Sequence, residues 1–259
     1  MRLQIEVELD YAMAGPADVL LQVEAAALPE QRIEAEALTV WADKPIRAVP
    51  GEDGIGQRCW IHAEGRLQAQ YRATVAVSRP PVVLAGLAAT PLRDLPGALT
   101  GYLLASRYCP SDRLEGFVLR QFRGLSGGAL AAALVGWVAT EIDYRGDATT
   151  GDTTALDTFA SRAGVCRDFA HLLVTLARAG GIPARCVAAY APGVDPPDFH
   201  AVAELWLDGG WHLVDATGMA RAEELAVVAA GRDATDIAFM TIWGRASLQR
   251  QTVRVVRLP

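Results

Sequence analysis

Of the four cysteines in this 259-residue chain, Cys59, Cys109, Cys166 and Cys186, Cys166 stands where a thiol becomes a nucleophile. The stretch Gly164-Val165-Cys166-Arg167-Asp168-Phe169-Ala170-His171 opens an apolar run of helical spacing, with Val165, Phe169, Leu172, Leu173 and Leu176 on one face. Gly180-Gly181 and Ile182-Pro183 end it. Cys166 therefore falls in the first turn, where unpaired backbone N–H groups and the positive end of the helix dipole favour a thiolate. Further along, His200 opens a strand pattern and Asp215 closes the next one. A thiol, an imidazole and a carboxylate in that order fit acyl transfer: Cys166 attacks an amide or ester carbonyl, His200 serves as its base, and Asp215 holds the imidazole tautomer. The product is a thioester, and the Cys166 backbone N–H is a natural oxyanion donor.

The elements that must position these groups follow from pattern. Ala184 to Tyr190 reads as a buried strand, and the proline-rich stretch Ala191 to Asp198 as a loop. His200 to Trp206 and Trp211 to Asp215 read as a hairpin. Residues directly opposite on antiparallel strands share a face, so only an even-numbered loop puts Asp215 on the face of His200. A four-residue loop from Leu207 to Gly210 pairs Trp206 with Trp211 and Val202 with Asp215. Asp215 is then diagonal to His200, about 7–8 Å away between backbones. A two-residue loop at Gly209-Gly210 leaves it roughly 13 Å along the strand, at about 3.3 Å per residue. The four-residue loop is the expectation.

The remaining candidates have plainer readings. His171 lies five residues beyond Cys166, about 140° around a helix, and is expected to pack or hydrogen-bond away from the thiol. His212 alternates onto the face opposite Asp215, and His62 belongs to the β region. Asp168 is expected to act on the helix start through the dipole, the alternative being a contact to Arg or substrate near the cleft. No CxxC or other close-spaced ligand pair is present, so neither a metal nor any other cofactor is expected.

From Leu3 to Val77 the pattern is mostly period two, as in Leu3, Ile5, Val7, Leu9 and Tyr11 and again in Leu67 to Val77. After Ser78-Arg79-Pro80-Pro81 the chain turns Ala- and Leu-rich with helical spacing, notably Ala129 to Ile142. The expected class is α+β: an antiparallel β domain over residues 1–83, then a core over residues 84–259 in which the Cys166 helix packs on an antiparallel sheet. A net charge of -6 draws no phosphate backbone and no anionic membrane to the surface, so nucleic acid and membrane are not expected partners. Scattered cysteines and a start of alternating acidic and apolar residues lead to an expectation of reduced thiols and a cytoplasmic location.

Gly164 to His171, Gly181-Ile182-Pro183-Ala184-Arg185, Phe199-His200-Ala201 and Trp211 to Thr217 together resemble the bacterial transglutaminase-like proteins of the papain-like cysteine-enzyme superfamily. The resemblance extends more loosely from Ser106-Arg107-Tyr108-Cys109 to the segment Gly231 to Asp236. It implies a papain-like core, places Cys166, His200 and Asp215 on the family's triad positions, and gives Gly231 to Asp236 a place near the cleft. It also implies a protein or peptide substrate. Hydrolysis of a peptide, isopeptide or glutamine amide is the expected reaction; the alternatives are a glutamine-amine transferase and a catalytically silent peptide-binding scaffold.

Overall fold

The computed structural model describes residues 1–42 and 44–259. In chain order its first strands are β1 (Arg2–Met13), β2 (Ala17–Leu21), β3 (Gln31–Trp41), β4 (Arg47–Pro50), β5 (Gln57–Ala63) and β6 (Arg66–Val77). There follow α1 (Glu115–Gln121), α2 (Gly127–Glu141), β7 (Asp143–Tyr144), α3 (Ala155–Ser161), β8 (Ala163–Gly164) and α4 (Cys166–Ala179). The chain ends with β9 (Ala184–Tyr190), β10 (His200–Leu207), β11 (Gly210–Val214), β12 (Ala226–Gly231), α5 (Ala234–Ile237), β13 (Met240–Trp243) and β14 (Ala246–Leu258). The class is α+β.

Period-two patterning builds the first part as expected. On β1, Leu3, Ile5, Val7 and Leu9 are buried while their neighbours are not, and they pair across to Val75, Ala73, Tyr71 and Ala69 of β6. Two four-stranded sheets result, in the orders β14-β1-β6-β3 and β13-β2-β5-β4. The sheets do not divide at residues 83 and 84, where a boundary was expected. The C-terminal strands β13 and β14 return to pair with β2 and β1, so the last residues of the chain complete the N-terminal sheets. The physical reason is edge protection: β1 and β2 would otherwise each leave a row of unpaired backbone groups. A single apolar cluster runs from the sandwich interior into α4, joining Leu3 and Tyr71 to Leu172 and Leu176.

The Ala- and Leu-rich stretch after Leu84 is less helical than its spacing suggests. Residues 84–113 form only short 3₁₀ segments of three to six residues, and the first α-helix begins at Glu115. Pro91, Pro96 and Pro110 interrupt any longer run. In contrast α4 is enclosed along nearly its whole length, with Phe169 to Arg178 buried. Full burial of a Leu such as Leu172, Leu173 or Leu176 contributes about 1.5–3 kcal/mol. Arg178 fixes the far end of the helix by donating to the carbonyls of Ala184, Leu104 and Arg232 and to Ser106 Oγ. Helix α4 lies on the sheet β11-β10-β9-β12, and this layer positions the site.

Candidate active site

Cys166 is the first residue of α4 and the one cysteine of the four that is not buried. The helix start is built by Asp168, fully buried, whose Oδ2 accepts from the Val165 N–H at 2.9 Å. Arg167 donates to Asp168 Oδ1 at 3.2 Å and also to Thr149 Oγ1 and the Thr150 carbonyl, both at 2.6 Å, so it ties the 149–151 loop to the same turn. Asp168 thus combines the dipole role with an arginine contact. Gly164 is required by this packing, because a Cβ there would lie 2.6 Å from the Asp168 Cβ. On the other side Tyr144 pairs in register with Gly164. Burial, first, and then the Cys166 thiol push the Tyr144 phenol up to about 12, while the Cys166 backbone N–H works the other way. The phenol therefore feels the charge of the Cys166 thiol as well as its backbone N–H. Nothing in the sequence singled out Tyr144.

His200 begins β10 and is 1% exposed. Its Nε2 bonds Asp215 Oδ2 at 2.8 Å, and its Nδ1 has no hydrogen-bond partner among the described residues. Burial opposes the imidazolium, but the Asp215 hydrogen bond and charge, together with the Cys166 thiol, outweigh it and raise His200 to about 9. Burial likewise works against the Asp215 carboxylate, and His200 and Thr217 hold it below its ordinary value nonetheless. The carboxylate accepts from His200 Nε2, from Thr217 N and Oγ1, and from Ala220 N at 2.9 Å. Cys166 Sγ is 4.0 Å from the Phe199 carbonyl, immediately before His200.

The hairpin delivers this geometry in the register expected, with Trp206 opposite Trp211 and Ala203 opposite Val214. The loop is shorter than the expected four residues. Leu207 pairs with Gly210, and the turn is Asp208-Gly209, both residues at positive φ (50° and 76°). That is the two-residue turn whose twist suits a hairpin, and it leaves the register unchanged because it sits at the centre of the expected four-residue loop, with Leu207 and Gly210 pairing in step with Trp206 and Trp211.

The three residues border a cleft of about 450 Å³, or contact it through His200, with Cys166, Phe199, Phe239, Ala188 and Gln22 among its lining. The Gly231 to Asp236 segment reaches it through Ala234. His171, His212 and His62 lie elsewhere: His171 Nε2 accepts from the Ala234 N–H, His212 Nε2 donates to the Leu207 carbonyl, and His62 contacts Asp18.

Among the described residues one set of metal-ligating side chains converges, Cys109, His171 and Cys186, with ligand atoms within 4.8 Å of one another. Since His171 Nε2 accepts a backbone N–H at 3.0 Å, the ring of the neutral imidazole carries its proton on Nδ1 and has no lone pair left for a cation. The trio does not fit a resident metal.

A family model of the transglutaminase-like superfamily matches residues 124–216. Over 110 residues the chain is 33% identical to an uncharacterized protein from Mycobacterium leprae, a match covering 39% of each chain. An uncharacterized Mycobacterium bovis protein is 30% identical over 115 residues, and the chain spans 37% of its length. A crystal structure from Cytophaga hutchinsonii, described as "a Putative Cysteine Protease", superimposes with a TM-score of 0.92 at 32% identity, over 100% of this chain and 91% of that one. With so similar a relative along its whole length, and the family model laid over the segment that carries Cys166, His200 and Asp215, this chain belongs to the transglutaminase-like superfamily.

Proposed function

We propose that the protein is a cysteine amidase that cleaves a peptide, isopeptide or glutamine side-chain amide through a thioester on Cys166, with His200 as acid and base and Asp215 as its orienting carboxylate. The observation that carries this reading is the 2.8 Å His200–Asp215 bond, which leaves Nδ1 open and, with the Cys166 thiol, raises the imidazole to about 9. A proton is then held on His200 at neutral pH, ready for a leaving amine.

In the first half-reaction Cys166 Sγ, as thiolate, attacks the carbonyl carbon. The Cys166 backbone N–H stabilises the oxyanion. His200 gives its proton to the departing nitrogen as the C–N bond breaks, leaving an acyl thioester, a free amine and a neutral imidazole. In the second, His200 takes a proton from water, the hydroxide adds to the thioester, and the C–S bond breaks to release the carboxylic acid and restore the thiolate. Asp215 keeps Nε2 protonated throughout, so Nδ1 is the nitrogen that exchanges the catalytic proton.

The test is selective alkylation followed by turnover. Iodoacetamide at pH 6 should modify Cys166 stoichiometrically and spare Cys59, which burial and then Glu24 push up to about 11, and Cys109 and Cys186, which are fully buried. An inert Cys166 in the folded protein would end the enzyme reading. Incorporation of a labelled primary amine into a glutamine-bearing protein, in preference to hydrolysis, would make the second acceptor an amine instead of water.

A further inference from the structure

Gln22 follows β2, is 2% exposed, and lines the same cleft as Cys166. Its amide orientation is fixed, because Arg58 Nε can only donate and does so to Gln22 Oε1 at 2.8 Å. The NH₂ group therefore faces the other way, and Nε2 has no hydrogen-bond partner among the described residues. A buried donor left unpaired is unfavourable, so a partner that meets it is favoured. Arg58, the cation behind it, is occupied by the Gln22 carbonyl oxygen, by the Asp236 backbone carbonyl at 2.9 Å and by Glu52 at 3.6 Å. Among the described residues, no free positive charge stands at this end of the cleft to ask for an anion.

Contacts define the wall between Gln22 and the thiol. Cys166 Sγ approaches the Phe199 carbonyl, the Phe199 ring stacks on Phe239 with centroids 4.2 Å apart, and the Phe239 carbonyl accepts from the Gln22 backbone N–H at 2.8 Å. The other lining residues include Ala188 and Val228, whose short side chains leave room. The cleft, whose lining also takes in Asp198, Gln251 and the Arg167 already tied to Asp168, is thus a mainly apolar slot that starts at a nucleophile and carries a buried neutral donor, Gln22 Nε2, beyond two stacked rings.

We propose that Gln22 Nε2 is a specificity-determining donor for a second, neutral carbonyl of the substrate, carried on an apolar segment and distinct from the carbonyl attacked by Cys166. The assignment rests on Cys166 being the nucleophile. A substrate that places a carboxamide or peptide carbonyl at that depth satisfies Gln22; one that ends in a methyl group leaves it unpaired.

The experiment compares rates of Cys166 alkylation by N-alkyl iodoacetamides of two to six methylenes that end in a methyl, a carboxamide or a carboxylate. At one or more lengths the carboxamide reagent should react about tenfold faster than its methyl counterpart. In Gln22→Met that ratio should fall to about one, and in Gln22→Glu to one or below, with plain iodoacetamide unchanged in both as the check that the site is folded. A ratio near one at every length in the native protein, a ratio preserved in Gln22→Met, or a preference for the carboxylate reagent would overturn the proposal. If Cys166 does not react with iodoacetamide at all, the nucleophile reading fails; the Gln22 assignment is then decided by whether pentanamide shifts the Gln22 side-chain amide NMR signal, as expected, or leaves it unmoved, which overturns it.

Discussion

Two histidines of this protein are equally buried and end with opposite chemistry. His200, 1% exposed, is raised to about 9; His171, 0% exposed and on the helix that Cys166 begins, is lowered to about 3. Burial disfavours the charged ring in both, so it cannot be what separates them. The difference is the partner each nitrogen meets. His200 Nε2 faces a carboxylate. His171 Nε2 faces the Ala234 backbone N–H, which demands a lone pair and so a neutral ring. A carboxylate is also close to His171, but Asp233 spends its oxygens on the Tyr108 and Thr235 N–H groups. Arg167 and Arg178 further disfavour a cation there. Depth makes a histidine sensitive; its hydrogen-bond partner decides the sign.

The largest effect should come from removing the charge that sets that sign at His200. Asp215→Asn keeps the shape but takes away the carboxylate, and its NH₂, turned toward Nε2, makes that nitrogen accept and shifts the ring proton to Nδ1, the wrong tautomer for a base. The expected loss in kcat/KM on a peptide amide is about 10³–10⁴-fold. The alkaline limb of the pH–rate profile, set in the native protein by an imidazolium that persists to about 9, should move down toward the ordinary value of 6.5. A profile whose alkaline limb stays near 9 in Asp215→Asn would break the comparison at its centre.

Next come two glycines that serve the two regions in the same way. Gly164 packs against Asp168 at the cleft, and a Cβ on Gly231 would lie 2.3 Å from the Asp236 Cβ beside the His171 region. Asp236 Oδ2 accepts from Arg232 N as Asp168 Oδ2 accepts from Val165 N. Alanine at either position should cost roughly 3 kcal/mol of stability, measured by urea denaturation, through overpacking. Only Gly164→Ala should also slow Cys166 alkylation, because only it displaces the turn that carries the thiol.

The cleft was legible where its information is local. Helix α4 announces itself through its apolar spacing and its glycine stop, and parity alone places His200 and Asp215 on one face of the hairpin, while the register also depends on where the turn is centred. The turn itself was read two residues too long because Asp208 does not advertise a positive φ as a glycine would. What stayed hidden depends on distant partners. The Ala234 N–H that takes up the His171 Nε2 lone pair is 63 residues away. Gln22, just after β2, and Tyr144, on β7, reach the site from segments whose sequences carry no catalytic pattern. β14 offers Gln249, Arg250, Gln251 and Arg254 in place of an apolar alternation, so nothing in its own composition says that it closes the first sheet.

His171 gives a smaller, pH-dependent effect. Its folded value of about 3 lies below the ordinary 6.5, so the unfolded chain binds a proton that the folded one refuses. Stability is therefore kept above pH 6.5 and lost as pH falls below it, by about 1.4 kcal/mol per unit, or about 2 kcal/mol by pH 5. The sign is opposite for His200, whose contribution is present below 6.5 and lost as pH rises through about 9. In His171→Gln the acid-side slope should flatten by that amount while the pH–rate profile keeps its alkaline limb. A slope identical to the native protein's would show that His171 is not the group that titrates.

The smallest effect is expected at His212, and it tests whether proximity to the hairpin matters without the right face. His212 lies opposite Leu205 on β11 and donates Nε2 to the Leu207 carbonyl at 2.9 Å, across the turn from the strand that carries His200. Removing one half-exposed hydrogen bond is worth about 1 kcal/mol or less. His212→Ala should therefore lower the urea midpoint slightly and leave both the alkylation rate of Cys166 and the pH–rate profile within twofold or so of native. Parity is what protects the site here: a substitution one residue off the His200–Asp215 face changes the hairpin's surface and leaves the imidazole's partner where it was. A large change in alkylation from this variant would mean that the turn, and not the carboxylate, holds His200 in place.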